Sequence, residues 1–216
     1  MLIIGHRGAR GLAPENTLAA FKKALEIGVD WVELDVRTTQ DDIAIAHHNP
    51  YVTDDSFSEL AIAQTNYQEL KAHKPDLATL KEVFDFIKGR VPVYVEVKPE
   101  ANITALTKIL KSYGFEYYLA SFSQKVLREL QTKLPDVPKI VLEREFGTRA
   151  RWRAKQIGTQ QICMDQKWLW WGFIKAMNHA GYKLYTYTVN DPTKAKRWAR
   201  YGLAGVVTDY PDRFKN

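Results

Sequence analysis

Short apolar runs alternate with amphipathic ones along most of the chain. Nine runs have the length and composition of strands: LIIGH (2–6), WVELDV (31–36), IAIAHH (43–48), VPVYVEVK (91–98), YYLASF (117–122), KIVLER (139–144), QICMD (161–165), KLYTYTV (183–189) and AGVVTD (204–209). Several are nearly continuous in apolar residues, as expected when both faces of a parallel strand are covered. Between most of them the apolar positions recur at helical spacing: 16–28, 79–89, 101–114, 123–134, 170–181 and 191–202. Most of these stretches stop at a glycine, among them Gly28, Gly89, Gly114, Gly181 and Gly202, the residue that best supplies a left-handed helix end. WVELDV and IAIAHH differ, because only a short polar stretch joins them. That predicts a hairpin rather than a crossover. Counting the hairpin once leaves about eight strands alternating with helices, the number of an α/β (β/α)8 TIM barrel; a doubly wound open sheet is the alternative. Residues 1–216 read as one such domain. Residues 51–78 follow the hairpin and carry only short helical patterns. A long loop after a barrel strand lies at the catalytic face, so this short insertion is expected to act as a lid.

Composition narrows the picture. With 216 residues, 45% of them hydrophobic, the chain can bury a sizeable core. Its one cysteine, Cys163, allows no intrachain disulfide and fits a reducing compartment. No leader-like pattern precedes the first strand, so a cytoplasmic location is expected. No apolar run approaches the roughly 20 residues that a bilayer span needs. The net charge of +6 favours anionic ligands. Lys and Arg are scattered, and RARWRAK (149–155) reads as a solvated helix face, so no nucleic-acid partner is expected. In WLWWGFI (168–174) the spacing of Trp168, Trp170 and Trp171 with Ile174 and Met177 predicts a helix whose broad face packs on the barrel.

The chemistry concentrates at strand ends. Glu33 and Asp35 are two apart on one strand and point to one face. Burying two carboxylates together is costly unless positive charge lies between them, and a divalent cation is the economical answer. Glu96 and Lys98 repeat the spacing. Three carboxylates without a thiolate suit a hard ion, Mg²⁺ or Ca²⁺, with Mn²⁺ also acceptable. His6 ends the first strand and His48 ends the hairpin. In a barrel both open at the same face as the carboxylates, where two imidazoles can serve as acid and base. Arg7 and Lys98 can neutralise phosphate oxygens. His47 is expected to face away. The set suits attack on a phosphodiester.

HRGARGLAPENT, ELDV, HHNP and VEVK occur in this order, and the sequence resembles the glycerophosphodiester phosphodiesterase family over nearly its whole length. ASFS, TYTVND and GVVTDYPD resemble the family's later strand ends. The resemblance implies a barrel enzyme that uses a divalent cation to cleave glycerophosphodiesters to glycerol 3-phosphate and an alcohol. It places the metal carboxylates on Glu33, Asp35 and Glu96, the acid/base pair on His6 and His48, and the phosphate contacts on Arg7 and Lys98. Glu15 falls near the metal or behind its ligands, and Asn16 beside it. Three departures stand out. Asn49 replaces the family's aspartate after His48, Tyr187 replaces a tryptophan of a WTVN-like motif, and the insertion is short.

Two other readings stay open from the sequence. A metal-dependent lyase or aldolase barrel also holds Mg²⁺ with a Glu/Asp pair, although the paired histidines and the PENT segment argue against it. A catalytically impaired phosphate- or phospholipid-binding homologue is favoured only by Asn49. If the tryptophans pack as expected, the substrate is a deacylated, water-soluble diester rather than a lysophospholipid.

Overall fold

The computed structural model describes residues 1–53 and 58–215. Strands β1 (Leu2–Gly5) and β2 (Trp31–Thr38) flank helix α1 (Leu18–Ile27), and β3 (Ala44–Ala46) runs back along β2. The pairing of β3 with β2 is antiparallel, with Val36 opposite Ala46, so the expected hairpin is present. The insertion contains β4 (Tyr51–Thr53), β5 (Glu59–Ala61) and α2 (Tyr67–His73). Regular alternation then resumes with α3 (Leu80–Ile87), β6 (Val93–Val97), α4 (Ile103–Leu110), β7 (Tyr117–Ser121) and α5 (Gln124–Lys133). It continues through β8 (Lys139–Glu143), α6 (Gly147–Ile157), β9 (Gln161–Asp165), α7 (Trp171–His179), β10 (Lys183–Tyr187), α8 (Pro192–Ala199) and β11 (Gly205–Thr208). The parallel strands are ordered β1-β11-β10-β9-β8-β7-β6-β2, and pairing of β1 with β2 closes the ring. The architecture is a (β/α)8 barrel.

Strand alternation sorts the side chains. On β2, Val32, Leu34 and Val36 join the apolar layer between strands and helices. Trp31 points the other way, into a plug shared with Ile4, Tyr94, Ile140, Cys163 and Tyr185. Trp31 stacks on Tyr118 at 4.2 Å between ring centroids. Residues two further along β2 and β6, Glu33 and Glu96, lie on this inner side but nearer the strand ends. The floor of the barrel is therefore largely apolar and aromatic, and the charged groups collect at its mouth.

Three local expectations need correction. Helix α4 ends at Leu110 with Lys111 as its C-cap, four residues before the turn that Gly114 would have closed. Lys111 keeps right-handed dihedrals, so the end requires no glycine. The basic run 149–155 is not wholly solvated. Arg153 is buried and donates to the carbonyls of Leu142, Ser121 and Phe122. The tryptophans do not pack into the core: Trp168, Trp170 and Trp171 are 51%, 58% and 57% exposed. Only Leu169, Ile174 and Met177 of that region are buried. Helix α7 begins at Trp171, so the first two indoles precede it and their spacing is not helical. The packing argument for a deacylated substrate falls with this correction.

The insertion builds a small core of its own from Val52, Ile62 and Leu70, with Ile45 and Leu77. Residues 54–57 of the expected lid lie outside the described residues.

Gly8 couples the fold to the mouth. Its φ is +87°, and a Cβ there would sit 2.6 Å from the backbone carbon of Ala20 in α1. The Gly8 N–H donates to the Glu33 carbonyl at 3.1 Å. Gly8→Ala is expected to lower unfolding free energy by about 1–3 kcal/mol, read as a lower urea midpoint at unchanged m-value.

Candidate active site

The turn after β1 delivers the first side chains. The His6 N–H donates to the Thr208 carbonyl at 2.9 Å, tying β1 to β11 at the mouth. The imidazole Nδ1 lies 2.6 Å from Asp209 Oδ1. Asn190 Nδ2 donates to the other Asp209 oxygen at 2.9 Å. Asp209 thus fixes the His6 ring and, by drawing the proton to Nδ1, leaves Nε2 for chemistry. Burial lowers the His6 pKa below the ordinary value, against the opposing pull of Asp209.

The carboxylates come from β2 and β6. Register sets Asp35 opposite Glu96 and Glu33 opposite Tyr94. One oxygen each from Glu33, Asp35 and Glu96 falls within 4.8 Å of the others. Burial pushes the Glu33 pKa well up, and the charges of Asp35 and Glu96 push it further. Burial and the charge of Asp35 raise Glu96 as well. Burial also acts to raise Asp35, but Lys98 and Arg7 outweigh it and hold that carboxyl well below its usual range. Lys98 Nζ lies 2.6 Å from Asp35 Oδ1 and also donates to Glu96. Arg7 donates through its backbone N–H to Glu33 at 2.8 Å and through Nη1 to Glu15 at 2.6 Å. Its Nε is 3.0 Å from Asp35 Oδ2 but is not aligned for a hydrogen bond, so this contact is an ion pair only. Asn16, with φ +58°, donates to the Asp35 side chain at 3.0 Å and accepts from its backbone N–H at 3.2 Å.

His48 reaches the mouth from just beyond β3, the return strand of the hairpin. Its Nδ1 lies 2.8 Å from Asn49 Oδ1. The amide therefore supplies the acceptor that the replaced aspartate would offer, without its charge. Burial lowers the His48 pKa too. His47 bonds the Tyr51 carbonyl at 2.9 Å instead and takes no part in the mouth, as expected.

A cavity of about 280 Å³ opens here. His6, Arg7, Glu33, His48, Glu96 and Tyr187 all line it, and among the described residues none of 51–78 does. Asp35 and Lys98 are buried and absent from the lining. Glu15, Asn16 and Asn49 are likewise absent from the lining and bond Arg7, Asp35 and His48 respectively. Tyr187 meets Phe122 edge to face at 6.0 Å and donates to the Glu143 carbonyl at 3.1 Å. Sequence reasoning missed Asp209, Arg10 and Arg144. Arg10 lies 3.4 Å from both Asp209 and Glu15. Arg144 lies over the Phe122 ring at 4.9 Å and has no carboxylate partner among the described residues. Asp209 and Arg10 lie in stretches that were themselves noticed, GVVTDYPD and HRGARGLAPENT, whereas Arg144 carried no such signal.

Cations packed around a carboxylate trio, with two imidazoles on the same small cavity, suit cleavage of an anionic ester. A mouth of this kind on this barrel defines a hydrolase of phosphodiesters. The sequence pattern of the Glycerophosphoryl diester phosphodiesterase family matches residues 6–213, and the chain belongs to that family. It is 28% identical to a glycerophosphodiester phosphodiesterase of Caldanaerobacter subterraneus, over 100% of this chain and 96% of the relative. It is 25% identical to a human lysophospholipase D, GDPD1, covering 99% of this chain and 84% of the relative. An Oleispira antarctica phosphodiesterase solved with its product sn-glycerol-3-phosphate superposes with a TM-score of 0.90. That pair shares 26% identity over 99% and 95% of the two chains.

The His6–Asp209 contact yields a pH prediction. Asp209 raises the His6 pKa, so Asp209→Asn lets it fall. The acid limb of kcat/KM should move to lower pH, and the rate should drop by about 10–100-fold as the ring loses its anchor. An unmoved limb at full rate would show that His6 does not titrate in the reaction.

Proposed function

We propose that the chain hydrolyses glycerophosphodiesters to glycerol 3-phosphate and an alcohol. Glu33, Asp35 and Glu96 hold one divalent cation, Mg²⁺ or Ca²⁺ with Mn²⁺ acceptable, and His6 and His48 move the protons. The observation that carries this reading is the convergence of three carboxylates in the cavity that both histidines line.

The residues fit a hard cation. All three donors are oxygens, and their mutual repulsion pushes Glu33 and Glu96 toward protonation until positive charge arrives. The nearby thiol of Cys163 is no competitor, because burial pushes its pKa far up. When bound, such an ion polarises phosphoryl oxygens and offsets the charge that develops on them.

The chain's own groups do the rest. Arg7 and Arg144 face the cavity and attract the diester's anionic phosphate, while Lys98 keeps Asp35 ionised from behind. The substrate's free hydroxyl beside the ester attacks phosphorus, and the bond to the departing alcohol oxygen breaks. One imidazole takes the proton from the attacking hydroxyl and the other gives one to the leaving oxygen. Water then opens the cyclic phosphate, with the two roles exchanged. The accepting ring must be neutral, the form burial favours, and the donating ring must carry its proton as imidazolium.

Release of glycerol phosphate from glycerophosphocholine, with and without chelator, tests the reading. Chelation should abolish turnover, and Mg²⁺ or Ca²⁺ should restore it. Glu33→Ala and Glu96→Ala should lose both activity and calorimetric cation binding while keeping the wild-type circular dichroism spectrum. Near-normal turnover of either variant after chelation would remove the metal site from these residues. His6→Ala and His48→Ala should each cost on the order of 10²–10⁴ in kcat. A substrate lacking the neighbouring hydroxyl should be poor, and full activity on it would indicate direct attack by water. The human relative's activity makes lysophosphatidylcholine the competing substrate to compare.

A further inference from the structure

We infer that the loops after β8 and β9 form a surface that seats the protein on an anionic phospholipid bilayer. The starting observation is the exposure of four large aromatic residues. Phe146 is 53% exposed, and Trp168, Trp170 and Trp171 are each more than half exposed. Together they present roughly 300–500 Å² of aromatic surface. A patch of that size on a monomer is commonly functional.

The two loops that carry these rings are in contact. Gly147 lies against Phe173, where a Cβ would come within 2.4 Å of the ring, so the start of α6 and the start of α7 touch. The Trp170 ring covers Gly172 in the same way, with a Cβ there only 2.0 Å away. Trp170 and Trp171 pack edge to face at 5.9 Å. The patch also reaches the rim of the active-site cavity, because Arg144 lines that cavity two residues before Phe146.

Positive charge is interleaved with the rings. Between Glu143 and Lys175 the chain has seven Lys and Arg against three Asp and Glu, an excess that supplies most of the net charge of +6. One of those acids, Glu143, is buried and held by Arg149 and Arg153. The Arg149 guanidinium lies 5.1 Å over the Phe146 ring, and Lys175 Nζ is 5.8 Å from both the Trp171 and Tyr201 rings. Lys167 is exposed beside Trp168.

This chemistry selects the occupant. Indoles favour the boundary between hydrocarbon and water, where the ring is sheltered and the N–H stays hydrated. Basic side chains among them match anionic headgroups. A second copy of the same face would bring the same positive excess against itself. Single-stranded nucleic acid needs ring faces open for stacking. Trp170 and Trp171 instead pack against each other, and Trp170 also covers Gly172. No helix among the described residues is long and apolar enough to cross a membrane, so the contact is peripheral. The inference concerns where the protein sits and is independent of the reaction chemistry, so its test does not use hydrolysis as the readout.

The test is co-sedimentation of the full chain with vesicles of phosphatidylcholine containing phosphatidylglycerol, and with phosphatidylcholine alone. Binding should favour the anionic vesicles, weaken at high salt and be accompanied by a blue shift of tryptophan emission. Trp168→Ser/Trp170→Ser/Trp171→Ser should reduce partitioning at least tenfold. None of these residues lines the cavity, and an unchanged circular dichroism spectrum will report the fold. Lys167→Glu/Lys175→Glu, which leaves the rings in place, should selectively reduce binding to anionic vesicles. Equal affinity for both vesicle types, no binding to either, or full binding by the triple variant would each overturn the proposal. So would self-association, or binding to oligothymidylate, that the triple variant abolishes while vesicle binding persists.

Discussion

Three carboxylates forced together at one end of a ring of strands are the constraint around which the mouth is organised. The register between β2 and β6 brings Asp35 beside Glu96, and strand alternation turns Glu33 to the same interior. Unscreened, such a trio would not stay ionised. Lys98 and Arg7 divide the charge unequally, keeping Asp35 anionic while Glu33 and Glu96 are pushed toward the neutral form. The cluster is one that could hold a cation.

The same constraint explains the turn after β1. To reach both Asp35 and Glu33, Arg7 must fold back from the strand end, and it does so with φ +50°. That conformation is uncommon for a non-glycine residue and is held by the surrounding bonds. Gly8 follows at a position with no room for a Cβ, and Asn16 then locks the start of the helical segment onto Asp35. HRG and PENT are thus two halves of one scaffold. The first brings the guanidinium, and the second brings Glu15 to receive it and Asn16 to fix its target.

The mouth also has two differently supported histidines. His6 rests on a carboxylate and His48 on an amide. An anionic partner stabilises an imidazolium more than a neutral partner does, so the two rings are not chemically equivalent, although both are depressed by burial. Asn49 preserves the geometry expected of an aspartate while giving up this charge. The aromatic wall of Phe122 and Tyr187, with Arg144 over it, closes the opposite side of the cavity from different strands.

Much of this could be read from the sequence, because it is local or periodic. A two-residue repeat decides which side chains share a strand face, so Glu33 with Asp35, and Glu96 with Lys98, could be paired on paper. The short polar link marked the hairpin, and the count of apolar runs marked the barrel. Gly28, in left-handed conformation, located the end of α1 well, but Gly114 misplaced the end of α4. What the sequence did not decide were relations between distant residues that no period encodes. Asp209 supports His6 across 203 positions because ring closure sets β11 beside β1. Arg144 faces the cavity from the end of β8, and Arg153 is buried although it sits in the basic run 149–155, because packing of α6 turns it inward. The tryptophans of WLWW have helical spacing on paper, yet the helix starts only at Trp171, so the indoles remain in water. Local pattern fixes the direction of a side chain relative to its own backbone; only closure of the barrel determines what it meets.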